Sequence, residues 1–121
     1  MVFMDSKTTI QELKDLMKGF CDEREWNYHN AKELAIDLNI EAGELLEQFR
    51  YLEGKEIDDA FKEKKDRICD ELADVLMCVC RFAELYEIDL SDAYAKKIKE
   101  SKAKYPVEKF KGLKKKYNEL Q

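Results

Sequence analysis

The sequence is poor in the two residues that build turns: its 121 residues include four glycines and one proline. A sandwich or barrel needs many turns, and turns draw on those two residues. An all-β fold is therefore all but excluded, and long helices are favoured. No apolar run approaches the roughly 20 residues of a membrane span. Met1 to Thr9 carry no signal-peptide core, so a cytoplasmic protein without a membrane partner is expected. A basic excess is missing too. The formal net charge is −5, which argues against a protein that holds a nucleic-acid polymer through its phosphates. The four cysteines form no framework. Cys21 and Cys69 stand alone, and Cys78 and Cys80 point about 200° apart on a helix. They read as small buried thiols of a reducing compartment.

What is present is 45% hydrophobic and 40% charged. That much apolar content excludes disorder. The length suits one domain, residues 1–121 with a tail over 110–121, at roughly 100–200 residues per domain. Such a chain needs neither disulfide nor metal to fold. Four helices are predicted. The first runs from Ile10 to Arg24, with Thr9 and Glu12 as a capping box and Ile10, Leu13, Met17 and Phe20 as its stripe. After a loop from Trp26 to His29, the second starts at Asn30, with Glu33 completing a second box. Its stripe is Leu34, Leu38, Ala42, Leu45, Phe49 and Leu52, and Gly54 ends it. Lys55 to Lys65 reads as a loop or a solvated first turn. The third helix runs from about Asp58 to Tyr86 on Ile68, Leu72, Val75, Val79, Phe82 and Tyr86. Its middle, Val75 to Cys80, is apolar all round, which predicts burial on every side and hence a subunit interface. The fourth starts near Ser91 and stops before Tyr105-Pro106, because the residue before proline disfavours helix. The tail, Val107 to Gln121, carries Lys111, Lys114, Lys115 and Lys116 and is either a solvated arm or a segment packed on a neighbouring subunit.

The informative feature is a pair of matched acid motifs, Glu41-Ala42-Gly43-Glu44 on the second helix and Glu71-Leu72-Ala73-Asp74 on the third. Residues three apart share a helix face. On a wheel of about 100° per residue, each motif sets two acids along the same edge of its apolar stripe. If the helices pack antiparallel, the four carboxylates converge. At about 5 Å and an effective dielectric near 20, each pair repels by about 3 kcal/mol. No lysine or arginine lies within the motifs, so a divalent cation is the economical compensation. All-oxygen donors select Mg²⁺ or Mn²⁺ over zinc, and Mg²⁺ often completes its shell with water and substrate phosphates. Two alternatives remain: the acids form solvated edges, or the chain is a carboxylate di-iron bundle. The latter needs Glu-x-x-His motifs, and the single histidine, His29, lies outside both.

These residues resemble the MazG-like family, all-α nucleoside triphosphate pyrophosphohydrolases whose motif is Glu-x-x-Glu followed by Glu-x-x-Asp. Around Glu41, Glu44, Glu71 and Asp74 stand Arg24-Glu25-Trp26, His29, Asp70-Glu71-Leu72-Ala73-Asp74-Val75-Leu76 and Lys104-Tyr105-Pro106. Within the family the chain is similar to the dCTP pyrophosphatase branch from about Glu12 to Leu120, including Lys116-Tyr117-Asn118-Glu119-Leu120. The resemblance implies a bundle of four-helix type working as a homodimer or a homotetramer built as a dimer of dimers. It implies hydrolysis of a (deoxy)nucleoside triphosphate, dCTP or a modified dCTP, to the monophosphate and pyrophosphate, a house-cleaning task in nucleotide metabolism. By the same resemblance Glu41, Glu44, Glu71 and Asp74 are the catalytic acids and hold Mg²⁺, with Glu41 positioning the attacking water. Trp26, Asn27, Tyr28 and His29 contact the nucleoside, Tyr51 supplies a further aromatic face, and Lys97, rather than Lys102 or Lys104, meets phosphate.

The chain departs from the animal dCTP enzymes. Its loop after Trp26 is one residue shorter. Met17 stands for a histidine, Cys78 for a tyrosine, Ser101 for an asparagine and Tyr51 for a tryptophan. All of these touch the base pocket and none the acids, so the chemistry carries over better than the substrate preference. A broader triphosphate pyrophosphatase, an all-α dUTPase or a phosphoribosyl-ATP pyrophosphohydrolase would use the same acids. A non-catalytic helical oligomerisation module would leave them merely solvated.

Overall fold

Caps fix where the first helices begin. In the computed structural model, which describes residues 2–119, α1 spans Ile10–Glu23 and opens on the predicted capping box. The Thr9 hydroxyl accepts from the Glu12 N–H and the Glu12 carboxylate accepts from the Thr9 N–H. α2 spans Ala31–Glu47, and the Asn30 side chain accepts from the Glu33 N–H at 3.0 Å. This cap is one-sided, since the return bond from Glu33 is not made.

α2 ends before its apolar stripe does. Phe49 and Leu52 lie in the turns beyond Glu47, where the chain enters the left-handed region at Tyr51 (φ 69°) and Gly54 (φ 56°). Gly54 therefore caps the start of α3, Lys55–Glu63, instead of ending α2. The charged segment is neither a loop nor the first turn of one long helix. It is a helix of its own, separated at Lys64 from α4, Lys65–Leu85. α5, Leu90–Lys104, is capped by Asp89 and stops before Tyr105-Pro106, as predicted. A short α6, Val107–Phe110, and a 3₁₀ turn, Tyr117–Glu119, complete an all-α architecture with no strand among the described residues. Leu120 and Gln121, at the end of the predicted tail, lie outside the described residues.

The chain divides into two compact units, Met1–Ile88 and Asp89–Gln121. In the first, α1, α2 and α3 all pack on α4, around Cys21, Leu34, Ala60, Ile68, Cys80 and Ala83. Cys69, expected inside, is exposed. The run from Val75 to Cys80 is not buried on every side within one chain: Cys80 is 2% exposed, but Leu76 is 44% and Met77 40%. They border a groove of about 830 Å³, which Leu13, Leu16, Met17 and Phe20 of α1 also line. In the second unit Tyr105 meets Phe110 and Tyr117 edge-on, and the Lys104 ammonium stands 5.2 Å from the Tyr117 ring centre. Lys111, Lys114, Lys115 and Lys116 are exposed.

α1 and α4 end alike. After Arg24, Glu25 turns left-handed (φ 55°), and the Trp26 N–H donates to the Cys21 carbonyl at 2.9 Å. After Tyr86, Glu87 does the same (φ 51°), and the Ile88 N–H donates to the Ala83 carbonyl at 2.9 Å. Both are Schellman turns with glutamate where glycine is usual. Each is gripped by the other helix. Lys14 of α1, 8% exposed, donates to the Ile88 carbonyl at 2.8 Å. Arg81 of α4, 3% exposed, donates to the Trp26 carbonyl at 2.9 Å. The two pairings run in opposite chain directions, so α1 and α4 are antiparallel.

A side chain with a Cβ in the left-handed region costs roughly 1–2 kcal/mol, and glycine returns part of the gain through its freer unfolded chain. Glu87→Gly is therefore expected to stabilise the protein by about 1 kcal/mol. Urea or thermal unfolding reads this directly, and an unchanged or lower midpoint would refute the strain.

Candidate metal centre

Glu41 and Glu44 sit on one face of α2, Glu71 and Asp74 on one face of α4. Glu71 feels Glu44, while Cys78 feels Glu41 and Asp37. Higher numbers on α4 thus meet lower ones on α2, so the pair is antiparallel and the two motifs converge. One carboxylate oxygen from each of Glu41, Glu44, Glu71 and Asp74 lies within 4.8 Å of the others. Glu44 is exposed and the other three are half-buried. Buried Gln48, one turn on, donates to the Glu44 carbonyl at 3.3 Å and holds the end of α2.

Among the described residues no lysine or arginine is ion-paired with the cluster, and Glu41 Oε2 and Glu71 Oε2 are buried without a hydrogen-bond partner. Burial first, then Glu44, Asp74 and Glu71, push the Glu41 carboxyl up to about 7. Burial and the charge of Glu44 likewise raise Glu71, against a weak opposing pull from Arg67. Burial raises the Cys78 thiol to about 11, helped by Glu41, so it stands beside the acids as a neutral thiol. Orphaned buried oxygens and an all-oxygen donor set fit a hard divalent cation. Opposite corners of a magnesium octahedron lie about 4.2 Å apart. The four donor oxygens lie within 4.8 Å of one another, close to that span.

The other predicted site residues are spread more widely. Trp26 to His29 form the loop between α1 and α2. Trp26 is 41% exposed, and its ring meets that of Phe20 edge-on at 5.6 Å. Tyr28 is exposed and stacks on His29 at 4.6 Å. Asn27 is exposed, and His29 keeps a buried Nδ1 without a partner. Tyr51 is 83% exposed in the turn after α2, with the Arg50 guanidinium 4.6 Å from its ring centre. Lys97 belongs to the second unit, where it pairs with Glu100 at 3.7 Å; Lys104 pairs with the same acid at 3.1 Å. The structure thus gathers the four acids, while these residues occupy two loops and a separate unit. The residues expected to replace family base-pocket groups are also parted: Met17 lines the α1–α4 groove, and Cys78 and the four acids do not.

Sequence reasoning missed Arg81, whose side chain is buried with that of Glu84 at 2.6 Å and whose other terminal nitrogen holds the Trp26 carbonyl. The available signal was a lone charge directly after the apolar run Val75 to Cys80.

Residues 36–120 match the MazG-like family. The chain is 30% identical over 115 residues to dCTP pyrophosphatase 1 of Rattus norvegicus, covering 93% of this chain and 68% of that protein. It is 29% identical over 118 residues to the Bos taurus protein of the same name, covering 95% and 70%. A crystal structure of a pyrophosphatase from Archaeoglobus fulgidus superposes with a TM-score of 0.78 at 30% identity, over 88% of this chain and 99% of that one. With its acid quartet on two antiparallel helices, the chain belongs to the MazG-like family of all-α nucleoside triphosphate pyrophosphohydrolases.

Proposed function

We propose that the protein hydrolyses dCTP, or a dCTP modified on its base, to the monophosphate and pyrophosphate, clearing it from the cytoplasmic nucleotide pool. In this reading Mg²⁺ is held by Glu41, Glu44, Glu71 and Asp74, and the same donors accept Mn²⁺. The observation that carries the reading is the pair of buried, unpartnered oxygens, Glu41 Oε2 and Glu71 Oε2, inside an all-carboxylate cluster. When bound, the ion supplies Lewis-acid polarisation of the phosphate and a lowered pKa for water.

The chain's own groups do the remaining work. Each acid needs only one oxygen for the cation, which leaves Glu41 a second to orient the attacking water toward the α-phosphorus. The water oxygen forms the new bond to phosphorus and gives up a proton to solvent, the bridge to the β-phosphate breaks, and pyrophosphate departs with that bond's electron pair. On the base side, the Trp26 and Tyr28 faces and, from its own turn, Tyr51 are available for stacking at about 1–3 kcal/mol per base. Asn27 and the free Nδ1 of His29 offer polar contacts to the nucleoside. Lys97 is assigned to phosphate. The open face of Leu72, Leu76 and Met77 suits a homodimer or a dimer of dimers, which sedimentation of the intact protein tests.

Turnover with Mg²⁺ is to be measured on dCTP, 5-methyl-dCTP, dUTP, dTTP, dATP and the ribonucleotides, with products read by phosphorus NMR. Pyrophosphate plus monophosphate is expected, with dCTP or its methylated form fastest. Orthophosphate release would overturn the α-phosphorus assignment, and a flat ranking would favour the broad pyrophosphatase. Glu71→Gln is expected to lower turnover by at least about 100-fold while the circular dichroism spectrum stays intact. A merely solvated acid would leave turnover unchanged.

The pH dependence follows from Glu41. Without a cation its carboxyl keeps a proton up to about pH 7, against an ordinary value of 4.5. The folded state therefore binds more protons than the unfolded state between those values. The resulting stabilisation is complete below the lower value and lost as pH rises through the upper one. In EDTA, Glu41→Gln should gain more stability over the parent at pH 8 than at pH 5. With Mg²⁺ added at pH 8, the parent should gain more than the variant. Melting curves at the two pH values check both, and a pH-independent difference would refute the assignment.

A further inference from the structure

Arg81 lies on the helix that carries Glu71 and Asp74, two turns beyond Asp74. Its side chain is almost wholly enclosed, 4% exposed, beside a Glu84 side chain that is 14% exposed. Pairing with Glu84 at 2.6 Å offsets the burial of its charge. That pairing uses one terminal nitrogen. The other donates at 2.9 Å to the main-chain carbonyl of Trp26, 55 positions earlier in the chain.

The acceptor matters because of where it sits. Trp26 is the first residue after the left-handed turn at Glu25 and opens the loop that runs to Asn30. The main chain of residues 27–29 makes no backbone hydrogen bond among the described residues. Three contacts hold Trp26 in place: its N–H on Cys21, its ring against Phe20, and its carbonyl on Arg81. The first two come from α1. Only the third comes from the acid-bearing helix.

We infer that Arg81 is a positioning residue that fixes the Trp26–His29 loop relative to the acids of α4, so that a nucleoside held by the loop presents its phosphates to the cluster. The inference rests on the reading of that loop as the nucleoside contact. Arg81 touches no reacting atom, and its effect passes through the Trp26 carbonyl. A planar guanidinium serves Glu84 and that carbonyl at once. A lysine ammonium at the same position reaches one of them at a time.

The test uses the full chain and the nucleotide that is turned over fastest. Trp26 is the sole tryptophan, so its emission reports on the loop alone. Arg81→Met by itself leaves Glu84 buried and unpaired. The double variant Arg81→Met/Glu84→Met removes both charges and keeps the fold testable. Relative to the parent, the double variant and Arg81→Lys should both show Trp26 emission more readily quenched by acrylamide without nucleotide. Their KM should rise by about tenfold, more than kcat falls. Glu84→Gln keeps the Trp26 bond and should stay near the parent in both readouts. A folded double variant with parental quenching and KM overturns the inference. Easier quenching with an unchanged KM also overturns it, and Trp26→Ala then locates the fault. If that variant too leaves KM unchanged, the loop is not the nucleoside contact; if it raises KM, the loop is the contact and Arg81 does not position it.

Discussion

Four carboxylates within 4.8 Å of one another set the terms for the rest of the first unit. At an effective dielectric near 20 each ionised pair resists closure by about 3 kcal/mol. The cluster therefore exists only because α2 and α4 are held together by something else. That something is the apolar seam beside the acids, with Leu34 on α2 and Ile68 on α4 buried. The seam runs beside the acid edge on each helix, so the same packing that buries it presses the carboxylates together. The repulsion is relieved by a proton or by a cation. Glu41, raised to about 7, marks where the two compete.

A second constraint follows from α4 serving two neighbours. α2 occupies one side and supplies half of the acids, while α1 occupies another and carries the Trp26 loop at its end. The α1–α4 pairing is not secured by apolar contact alone. Buried Lys14 and Arg81 each reach past their own helix to a main-chain carbonyl at the end of the other. Buried cations are expensive without partners, and this pairing gives each an acceptor in the turn after the other helix, while Arg81 Nε keeps none among the described residues. The pairing also fixes the sliding register of α1 along α4, which an apolar seam with leucine and methionine would leave loose.

These features were unevenly legible in the sequence. The all-α class, the start of α1 at Thr9, the stop before Tyr105-Pro106 and the convergence of the acid motifs all follow from periodicity and local chemistry. Gly54 misled because glycine past a helical stripe usually ends a helix; here the chain had already turned at Tyr51, and the glycine begins the next one. The left-handed residues Glu25 and Glu87 have no signature, since neither is glycine or asparagine. Nor does the Arg81–Trp26 bond: a side chain's composition can suggest a donor, but a carbonyl acceptor is present at every residue, and only the fold selects one. The run from Val75 to Cys80 showed its apolar character but not which neighbour covers Leu76 and Met77.

The division between what was legible and what was not coincides with a division of labour. The four acids stand on regular helices, where spacing of three fixes their directions and packing fixes their separation. Trp26, Tyr28 and His29 stand on a loop set by a left-handed turn, and Tyr51 is itself left-handed. Helical positions tolerate little change without losing the seam. Turn positions accept insertions and new side chains, provided the turn is anchored. None of the departures from the animal dCTP enzymes falls on the acids, and two of them fall at such turns, the loop after Trp26 and Tyr51. An anchor such as Arg81 therefore acts where the architecture is least constrained. It lends a variable loop the fixed geometry of α4 without restricting which side chains that loop displays.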